Sequence, residues 1–273
     1  MTTLITDAPL AHERFEAPGG ARGPLVVLLH GIGGGRLAWR STGEAMARAG
    51  YVALAVDQPG YGLSPPLEPF TLAGVAERVR ALVEWSGEKS SGGKRAVIVG
   101  HSMGGMVAQE LVAAAPACVR ALVLAATSPA FGPPGGDWQQ QFLQSRFAPL
   151  DAGRGMAGLA AELVPAMVGS AASAADVDAA RELMASVPEA TYRAALSALV
   201  RFDRRDALPR IAVPTLVITG EEDRTASPEV ARKMAARIAG AKLVVLPSTG
   251  HLAMLENAAA FDAALLAFLE TLP

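Results

Sequence analysis

One pentapeptide restricts the possible folds more than any other feature of the chain. Gly100-His101-Ser102-Met103-Gly104 follows a β-branched run, Ala96-Val97-Ile98-Val99, and precedes a helix-forming stretch from Met106 to Ala115. A serine between glycines on a strand-to-helix turn takes up a strained backbone that lifts its Oγ into the open. Side chains at the flanking positions would strike the strand and the helix. The helix aims its unpaired N–H groups at any negative charge that develops beside Ser102. Such a turn needs a buried strand and a helix packed back onto a sheet.

The rest of the first half repeats that unit. Leu25 to His30 and Tyr51 to Asp57 read as buried strands, and Ala121 to Ala126 as another after the Ser102 helix. Between them, Ser41 to Ala49 reads as a helix with Ser41 and Glu44 at capping-box spacing. Thr71 caps a second helix, whose apolar face is Leu72, Val75, Val79, Leu82 and Val83. Strands alternating with helices specify an α/β fold, a doubly wound and mostly parallel sheet covered on both faces. Ala11 to Ala17 is expected to add an antiparallel edge strand.

The pattern breaks after Thr127-Ser128. Pro129, Gly132, Pro133, Pro134, Gly135 and Gly136 make a turn-rich linker, and only helix-like segments follow to about Arg205. The strand pattern returns at Pro214 to Gly220 and at Lys242 to Leu246. Ser227-Pro228 starts a helix between them, and Asn257 begins a last one that runs to about Thr271. The expected division is a core of residues 1–128 and 206–273 carrying a helical cap at 129–205.

Composition excludes several classes. With 273 residues, 51% apolar and 18% charged, the chain is one large globular domain or one with an insertion. It has no apolar run of membrane-spanning length, and residues 1–7 lack the basic-then-apolar pattern of a secretory leader. A net charge of −2 and a pI of about 6.1 argue against a nucleic-acid partner. The single cysteine, Cys118, makes neither an internal disulfide nor a thiol metal cluster. A cytoplasmic enzyme is expected, with no membrane partner, no metal and no cofactor. An exposed apolar cap face would leave room for a homo-oligomer.

A serine needs a base to become a nucleophile near neutral pH, and histidine is the usual one. Of His12, His30, His101 and His251, only His251 lies in a loop leaving the last strand, where a parallel sheet gathers its ligands. Asp223, in the loop after Gly220, is the candidate that orients the imidazole, ahead of Glu221 and Glu222. Asp57 reads instead as a cap on its own turn. An oxyanion needs about two N–H donors. Met103 N–H supplies one, and Ile32 N–H, in His30-Gly31-Ile32-Gly33-Gly34-Gly35, the other. Gly33 to Ala38 also fits a dinucleotide-binding pattern with Asp57 about 20 residues on. That reading leaves Ser102, Asp223 and His251 without a role.

These residues resemble the α/β-hydrolase superfamily along nearly the whole chain. The resemblance rests on His30-Gly31, Asp57-Gln-Pro-Gly-Tyr-Gly, the Ser102 turn, the Asp223 loop and Gly250-His251, in the order Ser, Asp, His. It implies an eight-stranded sheet with a helical cap after the sixth strand. Within the superfamily the chain is most similar to esterases and 3-oxoadipate enol-lactonases, through GHSMGG, the segment Phe202 to Ile211 and the Asp223 loop. The expected activity is hydrolysis of a small carboxylic ester or lactone through an acyl-enzyme. Carbon–carbon bond hydrolysis and cofactor-free perhydrolysis use the same triad, and a non-catalytic ligand-binding role uses the same fold. Gly31, His101, Trp138, Phe142 and Leu252 are the candidate pocket residues. Arg146, Arg154, Arg181, Arg193 and Arg201 lie in the cap, with their directions unassigned by the sequence.

Overall fold

The computed structural model describes residues 1–19, 23–88, 95–132 and 137–273. In chain order the elements are β1 (Thr2–Ile5), β2 (His12–Phe15), β3 (Leu25–Leu29), α1 (Arg40–Arg48), β4 (Val52–Val56) and α2 (Leu72–Glu88). They continue with β5 (Ala96–His101), α3 (Met103–Ala114), β6 (Val119–Ala125), α4 (Trp138–Asp151), α5 (Gly155–Leu163), α6 (Ala174–Ala185) and α7 (Glu189–Leu199). The chain closes with β7 (Thr215–Gly220), α8 (Pro228–Arg237), β8 (Lys242–Leu246), α9 (Ala253–Glu256) and α10 (Ala258–Leu269).

The eight strands form one sheet in the order β1-β2-β4-β3-β5-β6-β7-β8. The pairs from β4 through β8 are parallel, and β1 and β2 are antiparallel. Strand side chains alternate between two cores, as a period of two requires. Val27, Leu29, Leu54, Val56 and Ile98 pack with α2, α3 and α8. Val26, Leu28, Ala53, Ala55, Val97 and Val99 pack on the other face with α1 and α10. This double burial makes the central strands continuous apolar runs.

Two local expectations differ from the structure. The segment around His12 to Phe15 is antiparallel but not at the edge, because β1 pairs outside it. β1 is short and exposed, so no apolar alternation marks it in the sequence. The Ser41–Glu44 capping box does not form. A 3-10 turn at Arg36–Trp39 runs straight into α1, so the helix starts at Arg40. Glu44 instead faces Arg48 one turn on. The Thr71 cap is present, its Oγ1 accepting from Gly74 N–H at 3.0 Å.

Between β6 and β7 the described residues form helices α4 to α7, with one isolated bridge joining Ala130 to Asp203. Linker residues Pro133, Pro134, Gly135 and Gly136 lie outside the described residues. Among the described residues no helix is long and apolar enough to cross a membrane.

Candidate active site

The β5–α3 turn is as tight as its sequence demands. Ser102 has φ 52° and ψ −116°, a left-handed backbone costing about 1–3 kcal/mol unless the surroundings impose it. They do impose it. A Cβ on Gly100 would lie 2.3 Å from Gly104 O, and one on Gly104 2.3 Å from Leu29 O. Strand and helix are thus locked at a separation that only glycine permits. Ser102 N–H donates to Ala125 O at 2.9 Å, and Thr127 Oγ1 donates to Ser102 O at 2.7 Å. Ser102 is left lining a cavity of about 320 Å³.

His251 lines the same cavity. Its Nδ1 donates to Asp223 Oδ2 at 2.9 Å. The other carboxylate oxygen, Oδ1, accepts from Thr225 N–H at 2.7 Å and Ala226 N–H at 2.9 Å. Burial works to raise the Asp223 pKa. The His251 charge, the His251 hydrogen bond and the two backbone donors outweigh burial and hold it below the ordinary carboxylate range. An ionised Asp223 keeps the proton on Nδ1 and leaves the Nε2 lone pair free to accept.

The His251 loop is held by groups that carry no mark in the sequence. Glu256, which is buried, accepts from Gly250 N–H at 2.9 Å, Leu252 N–H at 2.9 Å and Gly169 N–H at 2.6 Å. His251 N–H donates to Met167 O at 2.6 Å. The His251 loop is therefore tied to the 167–169 segment of the helical insertion. The one signal in the sequence is an acid shortly after His251, in a loop whose N–H groups lack sheet partners.

The expected oxyanion donors have the right freedom. Ile32 lines the cavity, and among the described residues neither Ile32 N–H nor Met103 N–H is consumed by a hydrogen bond. The Met103 side chain is buried in the core, and Met103 is not among the residues that line the cavity. His30 shapes the facing loop. Its Nδ1 donates to Gly31 O at 2.8 Å and its Nε2 accepts from Gln58 N–H at 3.1 Å. Asp57 caps its turn as expected, taking Leu63 N–H at 3.0 Å and Arg36 N–H at 2.9 Å. The Arg36 guanidinium, 2.6 Å away, completes its partners, which removes it as a ribose ligand.

Of the expected pocket residues, Gly31, His101, Phe142 and Leu252 line the cavity. Trp138 does not. It is 41% exposed and stacks on Phe142 with ring centres 5.5 Å apart, backing the wall from outside. Of the five cap arginines only Arg146 reaches the cavity lining. His101 is neutral, its pKa pushed down to about 3 by burial and by the neighbouring His251. Its Nε2 donates to His251 O at 2.8 Å. Among the described residues no group of three or more His, Cys, Asp or Glu is placed to hold a metal.

Buried neutral histidines make stability depend on pH. Burial also pushes His30 down to about 4. Between pH 6.5 and about 4 the unfolded chain binds protons at both positions that the folded chain refuses, so stability falls as pH falls. The slope for the pair approaches about 2–3 kcal/mol per pH unit below pH 5.5. Asp223, held ionised, adds its own loss only below the unfolded carboxylate range. Urea unfolding midpoints at pH 7, 6 and 5 should therefore drop progressively; equal midpoints would contradict the burial of neutral imidazoles.

Residues 26–264 match the Alpha/beta hydrolase family. The chain belongs to that family. It is 33% identical over 284 residues to the polyketide synthase ThaQ of Burkholderia thailandensis, covering 99% of this chain but only 13% of that much longer protein. It is 32% identical to a putative carbamate hydrolase, RutD, of Variovorax paradoxus, over 93% of this chain and 95% of the relative. A pimeloyl-[acyl-carrier protein] methyl ester esterase of Neisseria meningitidis is 29% identical over 90% of this chain and 92% of its own length. A solved hydrolase from Pseudomonas aeruginosa superposes with a TM-score of 0.82 at 31% identity, covering 98% of each chain. The chain thus falls in the esterase-like group of the family, and ester hydrolysis is the activity to which these similarities point.

Proposed function

We propose that this chain hydrolyses a small carboxylic ester or lactone through an acyl-enzyme on Ser102. The observation that carries the reading is the hydrogen-bonded pair Asp223–His251 on the same cavity as a serine forced to φ 52°. In the first half-reaction His251 Nε2 takes the Ser102 proton as Oγ attacks the carbonyl. Ile32 N–H and Met103 N–H receive the oxyanion, each contributing on the order of 3 kcal/mol to the transition state. The protonated His251 then gives its proton to the leaving alcohol. In the second half-reaction His251 activates a water that releases the acid. Asp223 holds the tautomer and stabilises the imidazolium throughout.

Helices α4 to α7 act as a cap that closes the cavity over Ser102. Leu163, Met167, Met184 and Leu196 give it an apolar wall suited to a short acyl or alcohol group. The tie from Met167 and Gly169 to the His251 loop makes the cap part of the catalytic support as well as a lid on the pocket. Mixing enzyme with excess p-nitrophenyl butyrate should give a burst of p-nitrophenol approaching one equivalent, followed by a slower steady rate. That outcome requires deacylation to be the slower half with this activated ester. Failure to hydrolyse any of a panel of p-nitrophenyl esters and simple lactones would refute the reading.

A further inference from the structure

The cavity has an unbalanced charge inventory. Its lining includes no aspartate and no glutamate, but two guanidinium groups, Arg146 and Arg224. Arg224 is exposed at the mouth, close enough to Glu222 to influence its ionisation. Arg146 is half-buried in the wall on α4. Among the described residues it forms no ion pair, although Arg154, Arg181 and Arg193 in the same insertion pair with Glu162, Asp178 and Asp151 at 3.0, 3.3 and 2.6 Å. Its guanidinium lies over the Phe142 ring, 4.8 Å from the centre. That stacking fixes the guanidinium plane and leaves its N–H edge without a carboxylate.

A second polar group stands beside it. Tyr192, on α7, is only 2% exposed and lines the same cavity. Its hydroxyl makes no hydrogen bond among the described residues, whereas that of Tyr61 donates to Ile32 O at 3.1 Å. Burial pushes the Tyr192 pKa up to about 12, with the nearby Arg146 charge pulling the other way. At neutral pH it is therefore a donor. A tyrosine hydroxyl and a guanidinium that both open onto an apolar cavity are complementary to an anionic acceptor on the ligand that fills it. Around both, the wall is apolar: Phe142, Leu163, Leu196 and Leu199.

We propose that Arg146 and Tyr192 form a carboxylate-binding subsite, so that the ester cleaved at Ser102 carries a second, free carboxylate on a short aliphatic chain. The inference rests on the ester-hydrolase reading and specifies its substrate class. A planar guanidinium edge and a phenol O–H match the planar, multiply accepting carboxylate. Binding such a group gives both donors an acceptor inside the cavity, whereas a purely aliphatic acyl chain faces them with hydrocarbon. Half-esters of dicarboxylic acids and lactones bearing a carboxylate meet the requirement.

The test compares kcat/KM for monomethyl esters of C4 to C8 dicarboxylic acids with that for methyl alkanoates of matching length. The wild type should prefer the half-ester at one or two lengths by about tenfold or more, the scale of a charge-assisted hydrogen bond. Arg146→Gln should reduce that preference by about tenfold or more, chiefly through KM of the half-ester. Tyr192→Phe should reduce it by about threefold, as expected for one neutral donor. The matching free dicarboxylate should inhibit p-nitrophenyl acetate hydrolysis competitively, and less strongly in Arg146→Gln. A wild-type ratio at or below one at every length would overturn the subsite, as would a ratio that Arg146→Gln leaves unchanged. Preference for a phosphate-bearing ester over every half-ester would overturn the carboxylate assignment. Wild-type turnover of p-nitrophenyl butyrate separates the two readings. If it is present without carboxylate preference, the subsite alone fails; if no ester or lactone is cleaved, the hydrolase reading fails.

Discussion

Replacing Ser102 with alanine is expected to lower ester turnover by a factor of about 10⁴–10⁶, leaving only the contribution of the oxyanion donors and of binding. The loss should come with no loss of fold. Ser102 Oγ makes no hydrogen bond that holds the turn; the turn is held by the backbone and by Thr127. Alanine inherits the same strained φ of 52°. Ser102→Gly should be equally inactive yet more stable, by about 1–2 kcal/mol, because glycine takes that backbone without strain. Steady-state rates with p-nitrophenyl butyrate and urea midpoints read both effects. Residual turnover within tenfold of the wild type would remove Ser102 as the nucleophile. A stability order with alanine above glycine would show that the turn stores no strain.

Asp223→Asn should cost about 10⁴ in kcat, for a reason set by the geometry of this loop. Oδ1 of Asp223 accepts two backbone N–H groups, from Thr225 and Ala226. An asparagine keeps its carbonyl oxygen at that position, since an NH₂ there would face two donors. Its NH₂ then points at His251 Nδ1, which must accept. The imidazole proton moves to Nε2, and the lone pair that the proposed general base needs is lost. The two backbone donors, Thr225 and Ala226 N–H, keep their acceptor, so the unfolding midpoint should move little. A variant retaining more than a tenth of wild-type kcat would mean that Asp223 does not set the His251 tautomer.

The parts of the fold that position Ser102, Asp223 and His251 were legible because each is imposed locally. Central strands buried on both faces must be unbroken apolar runs, and glycine must occupy any position where a Cβ would lie 2.3 Å from a carbonyl oxygen. Loops leaving such strands at their carboxyl ends lead to the cavity, and the loop after the last strand, β8, brings His251 there. Asp57 was readable as a turn cap because Gly60 and Gly62 require the chain to double back there, both with positive φ.

What the sequence left open depends on where each cap helix sits over the cavity. Helix α4 has no strong apolar face, so Trp138 and Phe142 read alike. They share one face a turn apart, and the structure sets Phe142 against the cavity while Trp138, at the start of the helix, stays exposed beyond it. The same placement singles out Arg146 among the cap arginines. A half-buried guanidinium and a solvated one have the same letter. Glu256 escaped for a related reason. Its three backbone donors come from Gly169, Gly250 and Leu252, and the first is brought to it only by the packing of the insertion on the core. The Ser41 cap failed because the preceding 3-10 turn at Arg36–Trp39, tethered by Arg36 to Asp57, carries the helix start past it.

The acyl-enzyme itself is the most direct test. During the p-nitrophenyl butyrate burst, acid quenching followed by intact mass measurement should show one added butyryl group. Peptide mapping should place it on the peptide containing Ser102, and Ser102→Ala should show no adduct. An adduct on another residue, or a full burst with unmodified protein at every quench time, would contradict the account.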